Sequence, residues 1–423
     1  MLQQSLRIRV SYIGLALILF YAYDFFYSVI EKGVSNEFIA KVITLLILYT
    51  FYLIACLKSP QKVYSAGFII IIVSALLFFF TYWLYPEYRR AMISMPSWNI
   101  WKSVFTFSSG IFACLFFQMF DDPNKLRKYL KYSGYFLFIW SAFRIRTAIT
   151  RGGFLRSMEN GLLSTNTYDM ALGYRLLFVS LIFAIEFQKE KKIIRYLYAT
   201  ISISAFIAMT IYGSRTAVLS FFVFWILKVL FCHEASTPKK RIVNIIFILV
   251  AFFTIYEVIT NEAILLYFYN VISRMGASSR ILNTLVSGNI ALDKGRSIMW
   301  SNALQMILEH PIIGNGIYSD RNEFGIYCHQ FVLELFLDFG IIIGTIIIII
   351  FAWSTIKILL KCQNQEWKLM FILFFSMIII RLNFSSSFWS DTNFWACLII
   401  GSKALRETAK LNISCYRLSG RCY

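Results

Sequence analysis

The stretch QFVLELFLDFGIIIGTIIIIIFAWSTI, residues 330–356, carries only two charged side chains, Glu334 and Asp338. An apolar run of about 20 residues is long enough to cross the roughly 30 Å hydrocarbon core of a bilayer as a helix. The whole chain has the same character, with 59% hydrophobic and 15% charged residues. A soluble fold of this size would expose too much apolar surface. The composition therefore predicts an integral membrane protein.

Similar apolar segments recur from end to end, and they predict an all-α polytopic membrane protein with about twelve transmembrane helices. We expect residues 1–423 to form a single membrane domain. The predicted spans are 10–30, 38–57, 63–85, 100–120, 129–145, 170–187, 193–212, 216–232, 242–261, 330–356, 367–383 and 389–405.

The basic residues fall between these spans in the alternation that the positive-inside rule requires. With a cytoplasmic N-terminus, the segments predicted on the inside hold more than half of the 41 Lys and Arg residues. Both termini are then cytoplasmic. The net charge of +19 follows from this topology and from contact with anionic membrane lipid. Because no nucleic-acid-binding motif is present, we expect no nucleic-acid partner.

Two of the predicted outer loops are long, residues 146–169 and 262–329, and long loops in compact proteins are usually functional or disordered. The second loop contains SIMWSNALQMIL, residues 297–308, which predicts a short amphipathic helix lying at the membrane surface. Pro311 should end that helix, and Gly314 and Gly316 should form a tight turn. We therefore expect this loop to fold back over the membrane. The predicted apolar face of its helix consists of Ile298, Ala303, Met306 and Ile307.

The predicted outer side is rich in arginine, whose planar guanidinium grips phosphate or carboxylate through two donors at once. An anionic ligand on this side would explain the excess. The alternative is that these arginines contact lipid headgroups or pair with Glu159, Glu262 and Asp293. The arginines in question are Arg89, Arg90, Arg144, Arg146, Arg151, Arg156, Arg274, Arg280, Arg296 and Arg321.

Three segments together resemble the signature of the O-antigen polymerase and O-antigen ligase superfamily. They are GRSIMWSNALQMILEHPIIGNGI (295–317), CHQFVLELFLDFG (328–340) and, upstream, YGSRTAVLSFF (212–222). Members often have His-Asn where this chain has His329-Gln330. The residues that carry the resemblance are Arg215, Arg296, Trp300, Pro311, Gly314, Gly316, His329, and Glu334 through Gly340.

The resemblance implies a glycosyltransferase of the GT-C-like class in the bacterial inner membrane, with its active site on the periplasmic face. Its donor would be an oligosaccharide on undecaprenyl diphosphate. In a polymerase the acceptor is a second lipid-linked repeat unit, whereas in a ligase it is lipid A core. A chain-length regulator and a flippase would be its partners, and no cofactor is implied.

The residue types suit that chemistry. His329 can take the proton from an attacking sugar hydroxyl. Fixed cations stabilise the charge that develops on a departing diphosphate. We expect Arg215 and Arg296 to act in this way. Further candidates for substrate binding are Arg151, Arg156 and Arg280. No DxD-like cluster is placed outside to hold a divalent metal, so we expect metal-independent catalysis.

Glu334 and Asp338 lie at i and i+4 on one helix face, where acidic groups are expensive unless paired. They would orient His329 or, as we favour, pair with Arg175 or Arg381. Trp300 is expected to support the site. His310 is expected to be a capping or interfacial residue, and His233 to lie on the cytoplasmic side.

Between the two enzyme classes the sequence following His329 favours a polymerase over a ligase. A flippase for lipid-linked oligosaccharide is the alternative from another class. Its signs would be internal repeats and paired broken helices that meet at mid-membrane. No repeat is visible in the sequence, and the polar candidates gather at one face.

Overall fold

The computed structural model describes residues 11–34, 36–94, 107, 109–157, 163–166, 169–232, 266–267, 269–270 and 296–419. The predicted span at 242–261, the first part of 100–120, and residues 262–265, 268 and 271–295 of the loop 262–329, among them Arg280, lie outside these residues. Within the described part the chain is helical, apart from one short antiparallel hairpin between residues 154 and 166.

In chain order, the elements are α1 (Tyr12–Tyr21), α2 (Tyr23–Val34), α3 (Glu37–Lys58), α4 (Ala66–Leu84), α5 (Arg89–Ser94), α6 (Ala113–Gln118), α7 (Pro123–Arg151), β1 (Phe154–Ser157), β2 (Leu163–Asn166), α8 (Met170–Lys189), α9 (Ile194–Tyr212), α10 (Arg215–Phe231), α11 (Arg296–Glu309), α12 (Ser319–Phe324), α13 (Phe331–Lys361), α14 (Gln365–Phe384) and α15 (Thr392–Ser419).

Six of the described helices, α3, α4, α8, α9, α13 and α14, are long and apolar enough to cross a membrane. The pair α1 and α2 would add a seventh span, broken by an 81° bend. These helices confirm a helical membrane protein. α7, α10 and α15 also form at predicted spans, but α10 has only 17 residues, and α7 and α15 carry several charges each. The count of twelve remains a prediction.

α8 and α14 lie in the centre of the bundle, because most of their residues are buried on all sides. α8 packs against α7 and α9, and α14 packs against α10 and α15. In contrast, α3, α4 and α13 leave most of their apolar side chains at least partly exposed. A helix in water could not expose such a face, so these surfaces are suited to contact lipid.

The segments predicted on the cytoplasmic side meet at one end of the bundle. There Arg127 and Lys131 each pair with Glu186 at 3.1 Å. At the same end Lys189 pairs with Glu366, and the Lys368 ammonium donates to the Phe231 carbonyl at 3.3 Å. Basic residues that end several helices therefore share one pole of the molecule.

Gly340 breaks α13 by adopting φ 76° and ψ 170°, a conformation that is essentially restricted to glycine. The turn at 310–316 docks on this break, since the Ile341 amide donates to the Pro311 carbonyl at 2.7 Å and the Asn315 amide to the Leu337 carbonyl at 2.6 Å. A Cβ on Gly340 would lie 2.4 Å from the carbonyl oxygen of Ile312. Two backbones thus meet with no room for a side chain.

The amphipathic helix and its stop are found where predicted. α11 ends at Glu309, before Pro311, and Gly314 and Gly316 both have φ of 80°. Ala303 and Ile307 are buried and Met306 is partly buried. Ile298 is 68% exposed and takes no part in this buried contact. It lies too early in the helix, so α11 turns only its later residues toward α13.

We predict that Gly340→Ala strongly reduces the yield and thermal stability of the detergent-purified protein, because the new Cβ collides with backbone that cannot move aside. Gly325 is the matched control, since it also has positive φ but has nothing within 4 Å of its Cβ position. Gly325→Ala should cost only the backbone strain of about 1–2 kcal/mol. Equal stability of the two variants would contradict this explanation.

Candidate functional site

The opposite pole of the bundle contains a buried ionic network centred on Arg321 of α12. This side chain is 2% exposed. One terminal nitrogen, Nη1, donates to Asp320 Oδ1 at 2.7 Å and to Glu334 Oε1 at 2.8 Å, and Nη2 donates to the Ser387 hydroxyl. Burial acts to lower the pKa of Arg321, but Asp320 and Glu334 outweigh it and raise the pKa well above its usual value. The guanidinium is therefore a fixed positive charge.

The two carboxylates of this network extend it into three chain segments. Asp320 accepts the Cys328 amide at 3.0 Å, and Glu334 accepts the Ser387 hydroxyl and the Phe388 amide. One turn further along α13, Asp338 accepts the indole N–H of Trp389 at 2.7 Å. The late loop, α13 and the turn between α14 and α15 are thus held together by buried polar contacts.

His329 lies at the edge of this network in a constrained backbone conformation. Its φ of 58° is positive, and among the described residues Tyr318 is the other non-glycine residue with this feature. The Trp300 indole donates to the Cys328 carbonyl at 2.9 Å, directly before His329. The ring lies 4.1 Å from that of Tyr327. Neighbouring contacts on both sides therefore fix the position of the imidazole.

The surroundings of the imidazole favour its neutral form. Burial, together with the positive charges of Arg296 and Arg321, lowers the pKa of His329 from 6.5 to about 4. Its Nδ1 atom is buried and has no hydrogen-bond partner in the described part of the chain. An unsatisfied buried nitrogen of this kind requires an explanation. A ligand hydroxyl that donates a hydrogen bond would supply it.

The SRT tripeptide at residues 214–216 lies close to the His329 segment. The Tyr327 hydroxyl donates to the Ser385 carbonyl at 3.1 Å, and the Ser385 hydroxyl is 3.4 Å from that of Thr216. Ser214 caps the start of α10 by accepting the Ala217 amide, which places Arg215 at the beginning of that helix. Two sequence motifs separated by more than 100 residues are thus linked through Ser385.

A second arginine, Arg381, lies beside this link. It pairs with Asp391 at 3.1 Å, and its guanidinium stacks 4.4 Å above the ring of Tyr174. The Tyr174 hydroxyl donates to Thr216 at 2.6 Å. Burial raises the pKa of Tyr327, and the charges of Arg381 and Arg321 oppose that rise. Arg381 therefore acts electrostatically on the residue against which His329 packs.

The structure brings several predicted site residues together and separates others. Arg296, Trp300, His329, Glu334 and Asp338 belong to the same region. Glu334 pairs with Arg321, so the prediction of Arg175 or Arg381 as its partner is wrong. The reason is that the late loop packs α12 against α13, which brings Arg321 to Glu334.

The remaining predicted arginines have different surroundings. Arg151 is exposed at the end of α7 and Arg156 lies in β1, whereas Arg280 lies outside the described residues. Arg144 pairs with Asp169, and Arg89 donates to the Tyr82 carbonyl, so ordinary pairing explains these two. Neither needs a ligand.

Sequence reasoning included Arg321 only as one of ten outer arginines and missed Asp320, its neighbour at the centre of the site. Asp320 and Arg321 lie in YSDRNEF, residues 318–324, which has neither periodicity nor a recognised motif. Ser385, Ser387 and Tyr327 carry no signal of their own either. Among the described residues, no group of three or more His, Cys, Asp or Glu side chains has the geometry of a metal site.

Comparisons with protein-family models, with curated proteins and with solved structures found no match to the chain.

We predict that Arg321→Gln destabilises the protein by about 3–5 kcal/mol, because it leaves buried carboxylates without a counter-charge. Thermal unfolding of the purified protein measures this. Arg144→Gln is the control, since the Arg144 side chain is 44% exposed in its pair with Asp169 and such pairs contribute at most about 1 kcal/mol. If both variants lose similarly little stability, the Arg321 network does not hold these segments together.

Proposed function

We propose that the protein is a glycosyltransferase that polymerises oligosaccharide repeat units carried on undecaprenyl diphosphate, as in the synthesis of O-antigen or a related surface polysaccharide. The single observation that carries the proposal is the setting of His329. A neutral imidazole with an unsatisfied nitrogen lies between a fixed arginine network and the SRT segment. The three segments that resemble the polymerase and ligase superfamily contribute to this one region.

In the proposed reaction, a hydroxyl of the acceptor sugar attacks the anomeric carbon of the donor sugar. The bond from that carbon to the diphosphate oxygen breaks, and the electron pair leaves with the diphosphate. His329 accepts the hydroxyl proton as the new glycosidic bond forms. Arg296 and Arg215 stabilise the charge on the leaving diphosphate. No metal is needed, because guanidinium groups supply the positive charge.

The charges around His329 also suggest how the base is tuned. Burial depresses the pKa of His329 in the free protein and the charges of Arg296 and Arg321 add to this effect. A bound diphosphate would offset part of that positive potential. A nearby negative charge favours protonated imidazole. The pKa of His329 would therefore rise when the donor is bound, and the imidazole would become a stronger base. In the empty site the lower pKa limits protonation of the imidazole.

The proposed location is the bacterial inner membrane, with twelve spans, both termini in the cytoplasm and the site in the periplasm. The basic pole of the bundle supports this orientation, since Lys and Arg concentrate on the cytoplasmic side of membrane proteins. A flippase would supply substrate to the periplasmic face, and a chain-length regulator would set the length of the product.

Deletion of the gene tests the reaction class through gel analysis of surface glycan. A polymerase deletion should leave a single repeat unit on lipid A core, because ligation continues without polymerisation. Naked core together with accumulated lipid-linked polymer would instead identify a ligase.

The bent pair of α1 and α2 favours a second candidate, a flippase for the same lipid-linked substrate, because broken helices often form transporter sites. Accumulation of the repeat unit on the cytoplasmic face in the deletion strain would select the flippase and reject both transferases.

We predict that His329→Gln abolishes visible polymer, because glutamine keeps hydrogen bonding but cannot accept a proton near neutral pH. Positioned proton transfer contributes roughly 10²–10⁴-fold in rate. His310→Gln is the control, since His310 is exposed after the end of α11. Polymer of normal length from a well-expressed His329→Gln protein would rule out the base.

The pH dependence of the purified protein gives an independent check. For the wild type, kcat/KM reports the free protein, so it should be constant through neutral pH and decline as pH falls through about 4, where His329 becomes protonated. The apparent pKa in kcat should be higher if bound diphosphate offsets the arginine charges. Identical profiles for kcat and kcat/KM would contradict that tuning.

A further inference from the structure

A polar cavity of about 350 Å³ lies where the break between α1 and α2 faces α8, α14 and the start of α15. It is distinct from the Arg321 network. Its polar lining includes Tyr23, Asp24, Tyr174, Arg175, Arg381 and Asn393. Charged groups at this depth in a membrane protein are expensive, and they commonly mark the path or site of a substrate. A cavity of this volume is within the range of small-molecule sites.

The charges in this cavity are balanced. Arg175 pairs with Asp24, and Arg381 pairs with Asp391 at 3.1 Å. Aromatic rings cover one face of each guanidinium, since Arg175 lies 4.8 Å above Trp140 and Arg381 lies 4.4 Å above Tyr174. The two arginines are thus held in fixed orientations. A free anion entering the cavity would meet two carboxylates as well as two guanidinium groups.

Several hydrogen-bonding groups in the cavity are unused. The Tyr23 hydroxyl and the Arg381 Nε atom are buried and have no hydrogen-bond partner in the described chain. Asn393 adds an amide group to the lining and accepts the Tyr21 hydroxyl at 2.6 Å through its Oδ1 atom. Buried donors without a partner cost free energy. A ligand rich in oxygen atoms would satisfy them.

We infer that this cavity binds a neutral sugar residue of the lipid-linked oligosaccharide. A sugar offers several hydroxyl groups that both donate and accept, which matches paired charges, an amide and a phenol better than a phosphate does. The cavity also adjoins the His329 region, because Tyr174 lines it and donates to Thr216. The source of the sugar rests on the proposed function, whereas binding of carbohydrate can be measured without catalysis.

Binding is tested with the full-length protein in lipid nanodiscs. The first probe is the neutral oligosaccharide released by mild acid from the lipid-linked material of a deletion strain, and the second is inorganic diphosphate. Ala171 lines the cavity and is exposed, so Ala171→Trp should fill it without removing a polar group. Ala142→Trp is the matched control, because Ala142 is an equally exposed alanine that lines a separate apolar groove.

We expect the wild type and Ala142→Trp to bind the oligosaccharide equally, and Ala171→Trp to lose that binding while its affinity for diphosphate is unchanged. A gentler variant, Tyr23→Phe, removes an unpaired hydroxyl and should weaken oligosaccharide binding by about 5–10-fold. Tyr27→Phe is its control, since the Tyr27 hydroxyl donates to Glu31 on the same helix. That variant should bind as the wild type does.

Two results would overturn the inference. Loss of diphosphate binding alone in Ala171→Trp would make the cavity an anion site, and unchanged oligosaccharide binding in both Ala171→Trp and Tyr23→Phe would exclude the cavity from sugar recognition. Failure of the proposed function looks different. A wild-type protein that binds the oligosaccharide through this cavity but forms no polymer would support the sugar site and reject the polymerase.

Discussion

The ion pair between Arg321 and Glu334, with Asp320 and Ser387 as further acceptors, is the interaction on which the pole opposite the basic one depends. Each of these groups would be costly to bury alone, because an isolated charge in a low-dielectric interior loses its hydration. Satisfying the guanidinium requires the late loop, α13 and the turn before α15 to be in place together. None of the three segments can therefore take its position independently.

This requirement explains why unusual backbone geometry is concentrated nearby. Tyr318 and His329, both with positive φ, flank α12, and Gly340 breaks α13 only a few residues beyond Glu334. Strained backbone persists only where surrounding contacts determine it, and it is typical of functional sites. Asp320 accepts the amide of Cys328, so the same carboxylate that pairs with Arg321 also fixes the chain one residue before His329. The Arg321 network therefore positions His329, the candidate base, although His329 makes no ion pair with it.

Much of the architecture follows from local pattern, whereas the choice of partners in the site does not. Composition and apolar run length predict a helical membrane protein, and α3, α4, α8 and α9 form close to their predicted bounds because hydrophobic length is a property of the segment itself. Glu334 and Asp338 share a buried face, as their i and i+4 spacing predicts. Which cation meets Glu334, however, depends on how the late loop packs. Nothing in the residues around Arg321 distinguishes it from the other arginines of the predicted outer side, because a single sequence does not contain tertiary packing.

The two polar regions, one around His329 and one in the cavity beside the α1–α2 break, differ in electrostatics, and this difference divides the proposed substrate between them. Around His329, burial lowers the pKa of the imidazole and the charges of Arg296 and Arg321 lower it further. Arg321 is already paired with Asp320 and Glu334, so Arg296 is the charge that favours an anion there. In the cavity beside the α1–α2 break, each arginine has its own carboxylate, so the surroundings favour a neutral polar ligand. A lipid-linked oligosaccharide has one part of each kind. Its diphosphate suits the first region and its sugars the second, and Tyr174, Thr216 and Ser385 connect the two.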